Sequence, residues 1–258
     1  MPKLLPRRIA ALCLAAAGLA CQVAMAGRLD FGQEAPSPEA RLVGDWAYDS
    51  KDHGALPFVI VDKRMARVFV FDAGGALKGA APALLGLASG DDSVPGIGQR
   101  AMASIRPDER TTPAGRFVAS LELSLQGDEI LWVDYDAAIA MHPVASAVAR
   151  ERRLERLVSR TASDHRITYG CINVAAAFFQ SVVAPLFRGG GGVIYVLPET
   201  RSALAMFGAY DLAPGAQGCA AQPVALRDDC VQRLRGAGST EGSVRAGGPI
   251  RETESGSH

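Results

Sequence analysis

A mainly β fold with flanking helices, built on a mixed β-sheet, is predicted by three features of the sequence. Two β-branched and aromatic runs, 58–61 and 66–71, are separated by a short polar turn, a spacing typical of a β-hairpin. Further strand-like runs between 117 and 141 alternate with loops rich in Gly, Pro and Asp. A last apolar run at 193–197 follows a run of glycines and predicts a buried strand.

The length and composition fit one main domain with a substantial core. The chain has 258 residues, of which 48% are hydrophobic and 21% are charged. Basic and acidic side chains balance, so the formal net charge at pH 7 is zero. A neutral chain has no general attraction to nucleic-acid phosphates or anionic lipids, and nucleic-acid binding is therefore not expected.

The first 26 residues have the pattern of a cleaved signal peptide. Three basic residues precede a short apolar run, which ends near the small-residue site Ala24-Met25-Ala26. The apolar run is shorter than the roughly 20 residues that span a bilayer, so no stable membrane span is expected. We therefore predict an exported protein, located in the periplasm or cell envelope. Lipidation at Cys21 is an alternative that the sequence leaves open.

Three further segments are predicted downstream. Residues 27–56 mix Pro, Gly, Asp and Ser without a clear period and are interpreted as a leader segment. Residues 57–198 form the main domain. Residues 199–258 are a C-terminal extension, and we expect disorder from about Gly236 onward, where Gly, Ser, Arg and Glu dominate.

The cysteines point to one free thiol. Removal of the signal peptide leaves Cys171, Cys219 and Cys230. An odd number in an oxidising compartment permits one pair at most, and we expect Cys219 to pair with Cys230. Cys171 then carries the unpaired thiol, which makes it the candidate nucleophile.

The residues around Cys171 predict a reactive thiolate. A helix is predicted from Val174, and a helix N-terminus favours a nearby negative charge by about 0.3–1 kcal/mol, so the pKa of Cys171 should lie below that of a free thiol. Gly170 lets a substrate carbonyl approach the backbone, whose amides can then form an oxyanion hole. Asn173 is suited to capping the helix. The alternative is an inert, buried cysteine.

A histidine is the expected general base, and the chain has four. His142 ends a predicted strand, where a rigid element can aim its imidazole, and we predict that it is the base. His165 lies in a polar loop before Cys171 and is the alternative. Between them, a helix predicted at 145–160 carries a row of arginines, which is either a solvated face or a lid that steers an anionic polymer.

With these residues in place, the sequence resembles the L,D-transpeptidase catalytic domain of bacterial cell-wall enzymes, over roughly residues 57–198. The resemblance is carried by the hairpin turn at Val61-Asp62-Lys63, by Thr112-Pro113-Ala114-Gly115-Arg116-Phe117, and by Thr168-Tyr169-Gly170-Cys171-Ile172-Asn173. The last segment is similar to the family's [S/T]-H-G-C-x-[R/N] signature.

The resemblance implies a mixed β-sheet domain in which Cys171 is the nucleophile and His142 the base. The implied partner is the peptidoglycan stem peptide, and the implied reaction is acyl transfer through a thioester to an amine of another stem. The support residues would be Gly170, Thr168, Tyr169 and Asn173, with Arg166 binding substrate. No cofactor and no metal are implied, and protein partners are not indicated.

Two departures from the family pattern stand out. Tyr169 occupies the position of the signature's histidine, and 25 residues separate His142 from Thr168, more than in the family. Two other functions remain open from the sequence. Water could release the acyl group, which would make the protein an L,D-carboxypeptidase that trims stems. A degenerate domain could also bind peptidoglycan without turnover.

Overall fold

The computed structural model describes residues 28–145 and 149–212. The predicted signal peptide, the lipidation alternative at Cys21, the Cys219–Cys230 pair and the predicted disordered tail lie outside the described residues. Within the described part of the chain, no helix is both long enough and apolar enough to cross a bilayer.

The protein is built on an eight-stranded mixed sheet, which confirms the predicted fold class. The strand order is β3-β2-β1-β10-β5-β6-β7-β9, and β4 and β8 form a separate two-stranded sheet. The β1/β10 and β7/β9 pairs are parallel, and the other neighbours in the large sheet are antiparallel. The strands are β1 Phe58–Asp62, β2 Arg67–Phe71, β3 Leu77–Pro82, β4 Leu85–Gly86, β5 Gly115–Leu123, β6 Glu129–Asp134, β7 Ile139–Pro143, β8 Arg166–Thr168, β9 Ile172–Val174 and β10 Gly192–Val196.

The helical elements are short and flank the sheet. A run of helical turns from Ala176 to Phe187 includes a π-helical stretch at Phe179–Val183. Single 3-10 turns occur at Ile97–Gln99, Met102–Ser104, Pro107–Glu109, Ala149–Glu151 and Ala162–His165. The α-helices are α1 Pro38–Asp49, α2 Arg153–Leu157, α3 Ala176–Phe178, α4 Ala184–Phe187 and α5 Ala203–Phe207.

The sheet separates two hydrophobic cores. Side chains alternate between the faces of a strand, so neighbouring residues of β1 and β10 enter different cores. Val59 and Ile194 lie on one face, under the helical run 176–187. Phe58 and Tyr195 lie on the other face, where α1 and α5 cover the sheet.

The prediction of an irregular leader over residues 27–56 is wrong for its described part. Helix α1 begins after Ser37, whose hydroxyl accepts a hydrogen bond from the Ala40 amide at 3.1 Å. Its residues Val43 and Trp46 are buried in the second core, and Trp46 meets Tyr195 edge-on at 6.0 Å. The helical spacing of these apolar residues was hidden by the polar residues around them.

The predicted domain end at residue 198 is also too early. Helix α5 packs Phe207 against Tyr195 and Trp46, with ring centroids 5.9 and 6.2 Å apart respectively. The described part of the C-terminal extension therefore belongs to the same core as α1. The packed unit extends beyond residues 57–198 at both ends, because both flanking helices are needed to cover one face of the sheet.

The continuous helix predicted at 145–160 is not present among its described residues. A 3-10 turn at Ala149–Glu151 is followed by the short helix α2, and Arg152 between them has a left-handed backbone (φ 49°). Few non-glycine residues adopt this conformation, and it interrupts the helix. The arginines have separate partners: Arg152 pairs with Glu155, Arg153 pairs with Glu151, and Arg156 donates to the Asp164 carbonyl.

Candidate active site

Cys171 lies between a tight turn and strand β9. The residue after it begins a strand, and the helical run starts only at Ala176, so the prediction of a thiol at a helix N-terminus is wrong. The segment Ile172–Val174 becomes a strand because it pairs in parallel with β7. Asn173 lies inside this strand and is fully buried, so its predicted role as a helix cap is wrong as well.

Strand pairing brings the predicted nucleophile and base together. His142 on β7 is the register partner of Asn173 on β9. Because alternate residues share a face, Cys171 and Asn173 point to the same side of the sheet as Ala140 and His142. Strand spacing and rise place the Cα atoms of Cys171 and His142 roughly 8 Å apart, so the two side chains can meet.

Both side chains line a cleft on this face of the sheet, with a volume of about 730 Å³. Trp132, Ile130 and Met102 contribute apolar surface to the cleft. Asp128 and Gln180 contribute polar groups. Cys171 is partly exposed in this cleft.

The hydrogen bonds of His142 define its tautomer. Nδ1 lies 2.9 Å from the carbonyl oxygen of Pro143, and Nε2 lies 2.9 Å from Nδ2 of Asn173. A carbonyl only accepts, so Nδ1 carries the proton and donates, while Nε2 accepts from the Asn173 amide. Burial lowers the pKa of His142, the Pro143 carbonyl raises it, and the charge of Arg153 lowers it further. The imidazole is therefore a neutral base at pH 7.

The thiol of Cys171 is not a preformed thiolate. Its Sγ donates a weak hydrogen bond to the Ala138 carbonyl at 3.8 Å. Burial raises the pKa of Cys171, and this outweighs the lowering by the Ala140 backbone and by the positive charge of Arg153. The prediction of a pKa below that of a free thiol is wrong, since no helix N-terminus compensates for burial. Deprotonation must accompany attack on the substrate.

The turn before Cys171 is held by Thr168 and needs glycine at 170. The Thr168 hydroxyl donates to the Cys171 carbonyl at 2.7 Å and accepts from the Gly170 amide at 3.1 Å. Gly170 has φ +131°, and a Cβ there would lie 2.5 Å from Ile139 Cδ1 and 2.8 Å from the Thr111 carbonyl. Because the Gly170 amide is occupied, the Cys171 amide is the candidate oxyanion donor.

Thr112 connects the Thr112–Phe117 segment to the nucleophile turn. Its fully buried hydroxyl accepts from the Gly86 amide at 2.8 Å and donates to the Gly170 carbonyl at 2.7 Å. The Thr112 carbonyl accepts from Nζ of Lys63 at 3.0 Å, and the same Nζ lies 3.1 Å from Asp91. The buried lysine of the hairpin turn thus supports the catalytic turn through Thr112.

Tyr169 contacts a neighbouring loop. The guanidinium of Arg110 lies 3.9 Å from the centroid of the Tyr169 ring, which is a cation–π contact. Arg110 also donates to the Ile105 carbonyl at 3.1 Å. The phenol ring therefore anchors the loop at 105–110 beside the nucleophile turn.

Arg166 is engaged in a structural ion pair. Its guanidinium pairs with Glu199 and donates to the Lys63 carbonyl at 3.0 Å, and its side chain is 12% exposed. Arg166 is not among the residues that line the cleft around Cys171. Arg166 thus joins strand β8 to Glu199 and Lys63, and its assignment to substrate binding stays a prediction.

His165 holds two backbone segments and does not contact Cys171. It is buried, with Nδ1 3.1 Å from the Ala83 carbonyl and Nε2 3.1 Å from the Ser159 carbonyl. Both ring nitrogens are occupied, which favours His142 as the base.

The sequence reasoning missed Arg153 and Glu151. Arg153 donates through Nη1 to Asn173 Oδ1 at 2.8 Å and through Nε to Glu151 at 2.6 Å. The only sequence signal was the long interval between His142 and Thr168, which holds both residues. Among residues 28–145 and 149–212, no group of three or more His, Cys, Asp or Glu side chains could hold a metal ion.

No protein-family model and no curated protein sequence matches the chain. Among solved structures, the chain is similar to the LD transpeptidase LdtMt1 in complex with imipenem, with a TM-score of 0.32 and 16% identity. It is also similar to the catalytic domain of the E. faecium L,D-transpeptidase, with a TM-score of 0.32 and 15% identity.

The two similarities differ in coverage. The first covers 55% of this chain and 58% of LdtMt1, and the second covers 54% of this chain and 95% of the E. faecium domain. The chain thus spans little more than half the length of the first protein. TM-scores and identities this low support no inference about activity, so a functional conclusion must rest on the site.

Proposed function

We propose that this protein is an exported cysteine acyltransferase that acts on peptidoglycan stem peptides. The observation that carries the proposal is the pairing of β7 with β9, which sets Cys171 and His142 on one face of the sheet, at an open cleft. A neutral imidazole next to a protonated thiol is a suitable base and nucleophile pair. The signal-peptide pattern at 1–26 supports export.

In the first half-reaction, Sγ of Cys171 attacks the carbonyl of the diamino acid at position three of the stem. The thiol proton passes to Nε2 of His142 as the C–S bond forms. The tetrahedral oxyanion is stabilised by the Cys171 amide. The intermediate then collapses, the terminal D-alanine leaves as an amine, and the imidazolium returns the proton to that amine. A thioester on Cys171 remains.

In the second half-reaction, an amine of a neighbouring stem attacks the thioester carbonyl. His142 takes a proton from the attacking amine, and the thiolate of Cys171 leaves and is reprotonated. The products are a new amide crosslink and the starting enzyme. Both steps require Nε2 of His142 to exchange its hydrogen bond from Asn173 for one with the reacting group.

The choice of stem peptides as substrate is supported by the sequence. The segments Thr112–Phe117 and Thr168–Asn173 resemble the family's motifs in the same order. In the structure these segments are joined directly, because Thr112 donates to the Gly170 carbonyl. The two segments that carry the resemblance therefore form one unit around Cys171.

Intact-mass spectrometry of the mature chain tests the proposal. Incubation with tetrapeptide stems or with a carbapenem should add one acyl group, and Cys171→Ser, which keeps the size of the side chain, should add none. No adduct on a folded wild-type chain would refute the enzyme and favour a binding module.

The acceptor is tested separately by muropeptide analysis. Crosslinked dimers are expected if an amine takes the acyl group. Trimmed tripeptide stems without dimers would identify an L,D-carboxypeptidase and refute the transfer step.

A further inference from the structure

We propose that Arg153 is a positioning residue of the reaction: it fixes the side-chain amide of Asn173 and, through that amide, holds His142 in the tautomer whose Nε2 can accept a proton. The inference rests on the proposed function in one respect, namely that His142 is the base. Arg153 is not among the residues that line the cleft; its hydrogen bond reaches His142 through Asn173, and its charge lowers the pKa of His142 and of Cys171.

The contacts of Arg153 fix the orientation of its guanidinium. It is the first residue of α2, and its side chain is 16% exposed. Its Nε donates to the carboxylate of Glu151 at 2.6 Å, and its Nη1 donates to Asn173 Oδ1 at 2.8 Å. The carboxylate of Glu151 anchors the guanidinium, and Asn173, whose amide the guanidinium contacts, is fully buried. A charge-assisted hydrogen bond of this kind is stronger than one between neutral groups.

The contact with Arg153 decides which way the Asn173 amide faces. A guanidinium has donors and no acceptor, so Oδ1 must lie against Arg153. The NH2 end then lies against Nε2 of His142, at 2.9 Å. A ring nitrogen that accepts from N–H is unprotonated, so the proton lies on Nδ1 and is donated to the Pro143 carbonyl. Every link from Glu151 to Pro143 has a donor and an acceptor.

The reversed amide is excluded while Arg153 is present. Turning Asn173 over would place its NH2 group against the guanidinium, with donors facing donors. Without Arg153 the amide can turn, and its Oδ1 can then accept from a protonated Nε2. The imidazolium would be fully satisfied, because Nδ1–H still donates to Pro143 and Nε2–H donates to Asn173. Loss of Arg153 should therefore stabilise protonated His142, which cannot act as a base.

The charges near His142 and Asn173 also favour an unprotonated Nε2 of His142. The positive charge of Arg153 lowers the pKa of His142, next to the larger lowering by burial. The other charged or titratable groups of the described chain near His142 and Asn173 are Cys171, Asp128 and Glu129, which line the cleft, and Glu151, which contacts Arg153. All of these residues are retained in Arg153→Met, so the comparison with wild type removes only the guanidinium and its hold on the amide.

Histidine NMR of the mature full chain tests the proposal without any substrate. Nitrogen and Cε1 shifts report the tautomer and the protonation midpoint of His142, whose signals are identified by their loss in His142→Gln. In wild type we expect the Nδ1–H tautomer and a midpoint below about 6.5. In Arg153→Met the midpoint should rise by about one unit or more, and the Nδ1–H tautomer should no longer dominate.

Three variants make the comparison specific. Arg153→Lys keeps a charged donor and should restore most of the wild-type midpoint. Glu151→Gln loosens the anchor and should raise the midpoint by a smaller amount, which keeps the test open if Arg153→Met is poorly folded. Arg152→Met removes one charge from the adjacent residue, whose side chain is 70% exposed and pairs with Glu155, and should leave the midpoint unchanged.

An unchanged tautomer in folded Arg153→Met, whatever its midpoint, or the same shift in Arg152→Met, would overturn the positioning role, because loss of the Arg153 charge raises the midpoint without any turn of the amide. Failure of the proposed function has a different signature, because the titration needs no substrate. If wild type forms no acyl adduct while the Nδ1–H tautomer is lost in Arg153→Met, the function fails and the positioning of His142 stands.

Discussion

Replacing His142 by alanine should mainly lower the acylation rate, whereas replacing His165 by alanine should mainly lower the stability of the fold. His142 shares the cleft with Cys171, whereas His165 is buried and binds the carbonyls of Ala83 and Ser159. General-base assistance contributes about 10²–10⁴ in rate, so His142→Ala should lower the acylation rate by that factor, equivalent to about 3–5 kcal/mol of transition-state stabilisation. His165→Ala should change the acylation rate by less than about tenfold.

The loss of stability should be larger for His165→Ala than for His142→Ala. His165→Ala removes the N–H that one of the Ala83 and Ser159 carbonyls accepts and opens a cavity, and an unsatisfied buried group costs about 1–3 kcal/mol. We expect a loss of about 2–5 kcal/mol in the free energy of unfolding. His142→Ala removes the partner of one Asn173 N–H at the edge of a cleft that water can enter, so its loss should be no more than about 1–3 kcal/mol.

The assays are the rate of carbapenem adduct formation, followed by intact mass, and urea unfolding of the same preparations. Acylation rates are compared at a temperature where every variant is folded. A His165→Ala variant with a crippled acylation rate and unchanged stability would refute the assignment of the two histidines. So would a His142→Ala variant that acylates at the wild-type rate.

Two further outcomes follow from the site. Gly170→Ala should destabilise the protein by about 2–4 kcal/mol and abolish acylation, because φ is +131° and the new methyl group would meet Ile139 and the Thr111 carbonyl. Gly189→Ala is the matched control, since a methyl group there meets no atom within 4 Å. Equal losses of stability for the two variants in urea unfolding would contradict the packing argument. The acylation rate should rise with pH through a midpoint below about 6.5 and then stay level to about pH 8. The reason is that burial lowers the pKa of His142 and that the imidazole acts as a base only when neutral. A midpoint clearly above 7 in the pH–rate profile would contradict the assignment of His142 as the base.

Local sequence patterns predicted the scaffold well. The hairpin of β1 and β2, the last strand β10 and the mainly β class depend on alternating apolar residues and turn residues, which act over a few positions. The same patterns failed for α1. Its apolar residues have helical spacing, yet Pro, Asp and Ser around them obscured it, and only the uncovered face of the sheet explains why this segment must fold onto it.

The candidate site shows a similar division. Cys171 and His142 could be selected from the sequence because few residue types can serve as nucleophile and base at neutral pH. The environment of the thiol could not be predicted. Ile172–Val174 was expected to lead into a helix, but it pairs with β7, about 30 residues earlier in the chain, and this non-local pairing replaces a helix N-terminus with a buried strand end.

The sequence by itself determined the class of fold and singled out the candidate nucleophile and base, since both follow from residue types and short-range periodicity. The tertiary structure alone decided the protonation of the site. The pKa of Cys171 is raised by burial, and the proton of His142 lies on Nδ1 because Pro143 presents a carbonyl to Nδ1 and Asn173, itself contacted by Arg153, presents an N–H to Nε2. These residues come from three different segments, and a proton's position depends on atoms within about 3 Å, whatever their distance along the chain.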